Sequence, residues 1–218
     1  MKSEQFKTLT VYLGSSGFSR PVFKQTAIAM GRLIGENGKN LTYGGMDAGL
    51  MGLLAKSAMA NGAHVHGIVP EKIADSERIL DGLQDITMVH DLWDRKKRMF
   101  ESADIVIALP GGFGTLDETL EMLYWGFLSL HSKPLVLVNL EGYWNKLIEY
   151  LKSLPDYDER FLLVVDKPED VFELNLEANQ PPDFAPGYQD RYPHFEDELT
   201  RETNAPVILD IPSIENSY

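Results

Sequence analysis

The stretch ALPGGFGTLDETLEML, Ala108 to Leu123, sets three glycines and a threonine directly ahead of three carboxylates, Asp117, Glu118 and Glu121. Gly111, Gly112 and Gly114 allow positive φ and let the main chain approach a ligand closely. A helix starting here offers unpaired N–H groups and the positive end of its dipole, which suits a phosphate without any lysine. Thr115 can cap that helix or donate its hydroxyl to the ligand. The spacing is neither G-x-G-x-x-G nor a Walker loop, which needs Gly-Lys-Ser/Thr. The plainer alternative is a glycine turn that only reverses the chain. At about 100° per residue, Glu118 lies one turn beyond Thr115 on nearly the same face, displaced by about 4.5 Å along the axis. Asp117 points elsewhere, with Glu121 as its i+4 neighbour. One carboxylate thus faces the group that follows a bound phosphate, which in a nucleotide is the sugar. As a first-turn acid, Glu118 would otherwise simply complement the helix dipole.

Two further glycine turns share the same strand-turn-helix context. YGGMDAGLMG, Tyr43 to Gly52, carries Gly44, Gly45 and Gly49, with Asp47 placed to cap the next helix. LGSSG places Gly14 and Ser15 after the first apolar run. Three such turns at the carboxyl ends of strands describe a nucleotide-sized cleft. The densest basic cluster is Arg95, Lys96, Lys97 and Arg98 in HDLWDRKKRMFESAD, just before the strand that feeds the cradle. Arg95 can reach over the cleft with its fixed fork of donors. A solvated face with Asp91–Arg95 and Asp94–Arg98 pairs at i+4 reads equally well.

Other chemistry has less support. His64 and His66 share one side of a strand, but no third ligand and no H-E-x-x-H accompanies them, so no metal site is expected. Tyr124, Trp125 and Phe127 read as core or subunit interface rather than a base-stacking platform. No G-x-S-x-G is present, and the chain has no cysteine for a disulfide or a thiol nucleophile.

These turns need strands and helices to hold them. Strands are expected at TLTVYL, NLTYGG, HVHGIVP, DITMVH, DIVIALP, KPLVLVNL and FLLVVD. Helices are expected from Pro21 to about Asn37, over AGLMGLLAKSAMANG and DLWDRKKRMFESA, from the opening motif to about His131, and over GYWNKLIEYLKSL and PEDVFEL. EKIADSERILDG reads as a loop. Alternation of this kind implies right-handed crossovers and a mostly parallel sheet covered on both faces, a Rossmann-like doubly wound α/β fold in a single domain. Ligands then bind at the carboxyl ends of the strands.

The 218 residues divide at about 175. Residues 1–175 carry the α/β pattern. The segment 176–218 has six prolines and a net −7 of the chain's −13, a composition that suits either an extended tail or one pinned by its aromatics Phe184, Tyr188, Tyr192 and Phe195. The acidic excess argues against nucleic acid or an anionic membrane as partner and leaves a small phosphorylated ligand held by directed donors. No apolar run reaches the ~20 residues of a membrane helix. MKSEQFKTLTVYLG lacks the order of a signal peptide, and the expected location is the cytoplasm.

PGGFGTLDE, Pro110 to Glu118, matches the P-G-G-x-G-T-x-x-E signature of the LOG ("lonely guy") family, cytokinin-activating nucleoside 5'-monophosphate phosphoribohydrolases long mislabelled as lysine decarboxylases. The resemblance runs through VYLGSSG, YGGMDAGLMG, HVHGIVP, WDRKKRMFESADIVIALPGG and HSKPLVLVNLEGYWNKLIEYL, about residues 8 to 175. It implies cleavage of a nucleotide N-glycosidic bond to free base and ribose 5-phosphate, with no cofactor and no metal. Arg95 and Glu118 fall on the family's catalytic pair, and Gly111, Gly112, Gly114 and Thr115 on its phosphate turn. Gly14, Ser15, Gly44 and Gly45 complete the expected substrate contacts. The family implies a homodimer or higher homo-oligomer. Met46 stands where the family's Y-G-G-G has its third glycine, and the acidic extension is absent from short plant-type members; both bear on base preference. Two other functions fit the same pattern: a carrier of nucleotide or molybdenum cofactor on this scaffold, and an interaction protein working through its acidic tail. Pyridoxal chemistry lacks an evident lysine anchor, and NAD redox chemistry lacks G-x-G-x-x-G.

Overall fold

The computed structural model describes residues 5–16, 19–128, 130–154, 157 and 159–176. Apart from Leu176, the acidic extension and the readings made of it lie outside these residues. In chain order the elements are β1 (Thr8–Tyr12), α1 (Pro21–Glu36), β2 (Asn40–Tyr43), α2 (Gly49–Ala60), β3 (Val65–Pro70), α3 (Glu71–Ala74), β4 (Asp85–Val89), α4 (Leu92–Ser102), β5 (Ile105–Ala108), α5 (Phe113–Phe127), β6 (Leu135–Val138), α6 (Asn145–Lys152), β7 (Leu162–Val165) and α7 (Pro168–Val171). The strands form one sheet in the order β4-β3-β2-β1-β5-β6-β7. Every pairing is parallel. The expected doubly wound fold is therefore present.

β5 and β6 are buried at every position, as strands covered on both faces must be. One core joins β1, β2 and β5 to α1, α2 and α7 through residues such as Leu9, Met30, Ile34, Leu54, Ile105 and Val171. The other joins the opposite face to α4, α5 and α6 through Tyr12, Met99, Val106, Met122, Leu135 and Leu151. Among the described residues no helix is long and apolar enough to cross a membrane.

Several boundaries differ from the sequence reading, each for a local reason. EKIADSERILDG opens with the single turn α3 rather than a loop throughout. α5 stops at Phe127 rather than His131, because His131 folds back and its Nε2 meets the Met122 carbonyl at 2.9 Å. α6 begins only at Asn145, since Glu141 and Gly142 take left-handed φ values of 51° and 72°. Asp47 does not cap α2: Ala48 is the N-cap residue, and the Asp47 carboxylate pairs with Lys56 at 2.5 Å.

The sheet order turns around between β1 and β5, and the loops leaving these two strands diverge there. A crevice at that point is the natural ligand site of an open parallel sheet. The loops remain tied at their bases: Leu109 N–H donates to the Tyr12 carbonyl at 2.9 Å, and Gly14 N–H to Pro110 at 3.4 Å. Leu50 N–H donates to the Gly14 carbonyl at 3.0 Å, which brings the start of α2 to the same place.

Candidate active site

The opening motif leaves β5 and turns into α5 at Gly112, the N-cap residue, with no side-chain cap. Thr115 is thus not the cap; it is the third helical residue, buried, with its hydroxyl against Gly111. A Cβ at Gly111 would run into that hydroxyl and lie 2.9 Å from the Gly14 nitrogen, so only glycine lets the two loops close on each other. The N–H groups of Phe113, Gly114 and Thr115 have no partner within the helix and point out of its start. Glu118 is the sixth residue of α5, beyond the first turn, which removes dipole complementation as its main purpose.

A cavity of about 310 Å³ opens over this helix start. Gly14 and Ser15 line it from the first turn, Gly112, Gly114 and Thr115 from the second, and Arg95 and Glu118 from the facing helices. Gly111 lines an adjoining cavity of about 250 Å³ that shares Gly14 and Gly112. Gly44 and Gly45 line neither. Gly44 lies under the Arg95 guanidinium, and Gly45 packs against Val69 and Gly67.

Arg95 reaches the cleft because its i+4 alternative is occupied. Asp91 caps α4, its Oδ1 accepting the Asp94 N–H at 2.9 Å, while Asp94 takes Arg98 at 2.9 Å. The expected Asp94–Arg98 pair therefore forms and Asp91–Arg95 does not. Arg95 instead donates from Nη2 to Glu118 Oε1 at 3.4 Å, across two helices, with the side chains 13% and 11% exposed. Arg95 Nε is buried without a partner. Burial pushes the Glu118 carboxyl up to about 7 against the opposing charge of Arg95. Asp117 and Glu121 push it the same way as burial. Burial, then the charges of Glu118 and Glu121, holds the neighbouring Tyr12 phenol firmly protonated.

Of the remaining lining, sequence reasoning named Met46, Lys96 and Asp117 but not the other apolar side chains. Met51, Ile73, Leu92 and Phe113 contribute apolar lining to the cavity, and Glu77 lines it as well. Met46 joins that lining, buried and bridged to Ile79. Tyr143 braces the cradle by donating its hydroxyl to the Gly111 carbonyl. Lys96, visible only as part of a basic run, bridges Asp117 and Glu121 at 3.0 and 2.9 Å. His64 and His66 part company, to Asp85 at 3.1 Å and Thr87 at 2.8 Å. No group of three or more metal-ligating side chains occurs among the described residues.

The arrangement is an open helix start, a carboxylate and a guanidinium one turn further in, and apolar side chains in the same lining. It can take a ligand that combines an anionic group, a polar centre and an apolar part.

A family model described as "Possible lysine decarboxylase" matches residues 51–174. The cytokinin riboside 5'-monophosphate phosphoribohydrolase LOG7 of Arabidopsis thaliana is 38% identical over 152 residues, 70% of each chain. The probable phosphoribohydrolase LOG4 of Oryza sativa subsp. japonica is 39% identical over 142 residues, 65% of this chain and 62% of that one. Among solved structures, the molybdenum cofactor binding protein of Rippkaea orientalis superposes with a TM-score of 0.62 at 24% identity, over 77% of this chain and 93% of that one. The Moco carrier protein of Chlamydomonas reinhardtii gives the same TM-score at 20% identity, over 77% and 93%.

Proposed function

This chain belongs to the LOG family of phosphoribohydrolases, and from that premise we propose that it hydrolyses the N-glycosidic bond of a purine nucleoside 5'-monophosphate, AMP or an N6-modified AMP of the cytokinin type. The products are the free base and ribose 5-phosphate. The observation that carries this reading is the Arg95–Glu118 pair, drawn from two helices into one cavity above an open helix start.

The phosphate sits on the N–H groups of Phe113, Gly114 and Thr115, with Ser15 beside them. The ribose then lies against Glu118. As the C1'–N bond breaks, its electron pair leaves with the base and positive charge grows on the sugar, as in other glycoside hydrolyses. A carboxylate stabilises that charge more than the neutral ground state, which is the condition for accelerating the step. Glu118 also takes a proton from the water that attacks C1', and the departing base takes one from solvent, which completes the hydrolysis. Arg95, always charged, balances the electron pair that departs with the base. Assembly as a homodimer belongs to the same proposal, and the large apolar side chains exposed at Trp93 and Tyr124 support it.

The likeness to molybdenum cofactor carriers is one of fold. A carrier has no use for the Arg95–Glu118 pair and would bind its ligand without turnover.

The test is a panel of nucleoside monophosphates with base release followed by chromatography. The apolar wall of Met46, Met51, Ile73, Leu92 and Phe113 leads us to expect N6-isopentenyl-AMP to react at least as fast as AMP. Pyrimidine nucleotides, which fill less of that wall, are expected to be slower by about tenfold or more. A strong preference for unmodified AMP would restrict the substrate, and bound nucleotide returned intact from every incubation would move the protein to the carrier class.

A further inference from the structure

Three carboxylates of α5 face two cations of α4, and the pairing between them is specific. Lys96 takes Asp117 and Glu121, while Arg95 is left to Glu118. We propose that Lys96 is the positioning residue of the site: by engaging Asp117 and Glu121 it leaves the Arg95 guanidinium directed at Glu118 and the cleft. This inference rests on the phosphoribohydrolase reading.

Arg95 is loosely held by its own partner. Its one bond to Glu118 is long, 3.4 Å, and its Nε has no acceptor. A guanidinium with donors to spare turns toward whatever carboxylates are in reach. Asp117 and Glu121 stand one residue before and three after Glu118, so an unneutralised pair there competes directly for it. Lys96 removes the competition. Its stem is buried, 13% exposed, and its ammonium lies 5.3 Å from the centre of the Trp93 ring. Burial alone would lower its pKa, but its hydrogen bonds to Glu121 and Asp117 outweigh that and keep it above the ordinary lysine value. The ammonium is therefore a fixed charge at every pH the enzyme meets.

The same placement sets the charge state of Glu118. The charged and titratable groups facing that carboxylate are Arg95 and Lys96 from α4, Asp117 and Glu121 from α5, and Tyr12 from β1; Glu77 lines the same cavity. Loss of the Lys96 charge removes a cation and exposes two anions, and an Arg95 drawn to them leaves Glu118 as well. All three effects favour the protonated acid.

The experiment follows the Glu118 carboxyl by ¹³C NMR in full-length protein labelled at glutamate, with Glu118→Gln to assign its signal, and measures AMP hydrolysis on the same samples. In Lys96→Met the midpoint should rise by about one pH unit, and kcat at pH 7 should fall by about tenfold with KM nearly unchanged. Lys96→Arg should restore most of both, since a guanidinium can still bridge the two carboxylates. Lys96→Met/Glu121→Gln should bring the midpoint back down. A midpoint within about 0.3 pH unit of wild type and a kcat within about twofold in Lys96→Met, or equal losses in Lys96→Met and Lys96→Arg, would overturn the proposal. Should Lys96→Met not fold, Lys96→Gln takes its place, with the same expected rise in midpoint and fall in kcat and the same overturning result. A wild-type protein that releases no base would instead count against the phosphoribohydrolase reading, while the midpoint still decides the role of Lys96.

Discussion

Glu118→Gln is expected to lower kcat for base release from AMP by about 10³-fold, with KM changed by less than about threefold. The amide keeps the size and the hydrogen-bonding edge of the carboxylate but loses the negative charge that answers the developing cation. Ground-state binding, carried by the helix start and the apolar wall, survives. The wild-type pH profile follows from the same group. Its carboxyl is pushed up to about 7, so kcat/KM should rise as pH increases through that value, and the limb should vanish in the variant. Stability moves the other way. A carboxyl raised above its unfolded value binds protons in the native state that the unfolded chain has released, so it costs stability as pH climbs from about 4.5 to about 7. Glu118→Gln should therefore be no less stable than wild type at pH 8, measured by thermal melting. A glutamate present only for the helix would show unchanged turnover on substitution.

Gly44→Ala tests the other half of the pair without touching it. An added Cβ would lie 2.5 Å from Arg95 Nη2 and 3.2 Å from Met51 Sδ. Gly44 is not among the positive-φ glycines, so alanine adopts its backbone without strain. What must give is the far end of the Arg95 side chain, which holds its place by a single 3.4 Å bond. On the role proposed for Arg95, a shift of about 1 Å costs on the order of 10²-fold, and that loss in kcat/KM is expected here with the melting temperature little changed. Equal activity would mean that the guanidinium acts from elsewhere; a collapse in stability would mean that Gly44 serves packing rather than the site.

The features legible in the chain are the local ones. β5 and β6 announce themselves as unbroken apolar runs because both faces are buried, and the glycine-threonine turn because Gly111 has no room for a side chain between Thr115 and Gly14. Helical geometry alone puts Glu118 on the face of Thr115, while a role in the chemistry comes only with the family resemblance. Such geometry does not place Arg95: Asp91 stands at its i+4-compatible position, and only the cap that Asp91 makes for α4 decides that the guanidinium turns outward. Lys96 is less visible still, because its partners lie on another helix more than twenty residues away and nothing in RKKR distinguishes one cation from the next. The apolar wall is assembled from Met46, Ile73, Leu92 and Phe113, four separate stretches that the sheet order brings together. Asp47, placed like a cap, is taken by Lys56, an ion pair that backbone pattern does not reveal.

One incubation tests the central claim most directly: AMP and adenosine, each with purified protein, with free adenine and ribose 5-phosphate both quantified. The expected result is adenine and ribose 5-phosphate appearing one for one from AMP, and neither base nor sugar from adenosine, which lacks the phosphate proposed to sit on the α5 helix start. Adenosine cleaved as readily as AMP, or AMP recovered intact under conditions where it binds, would contradict the account.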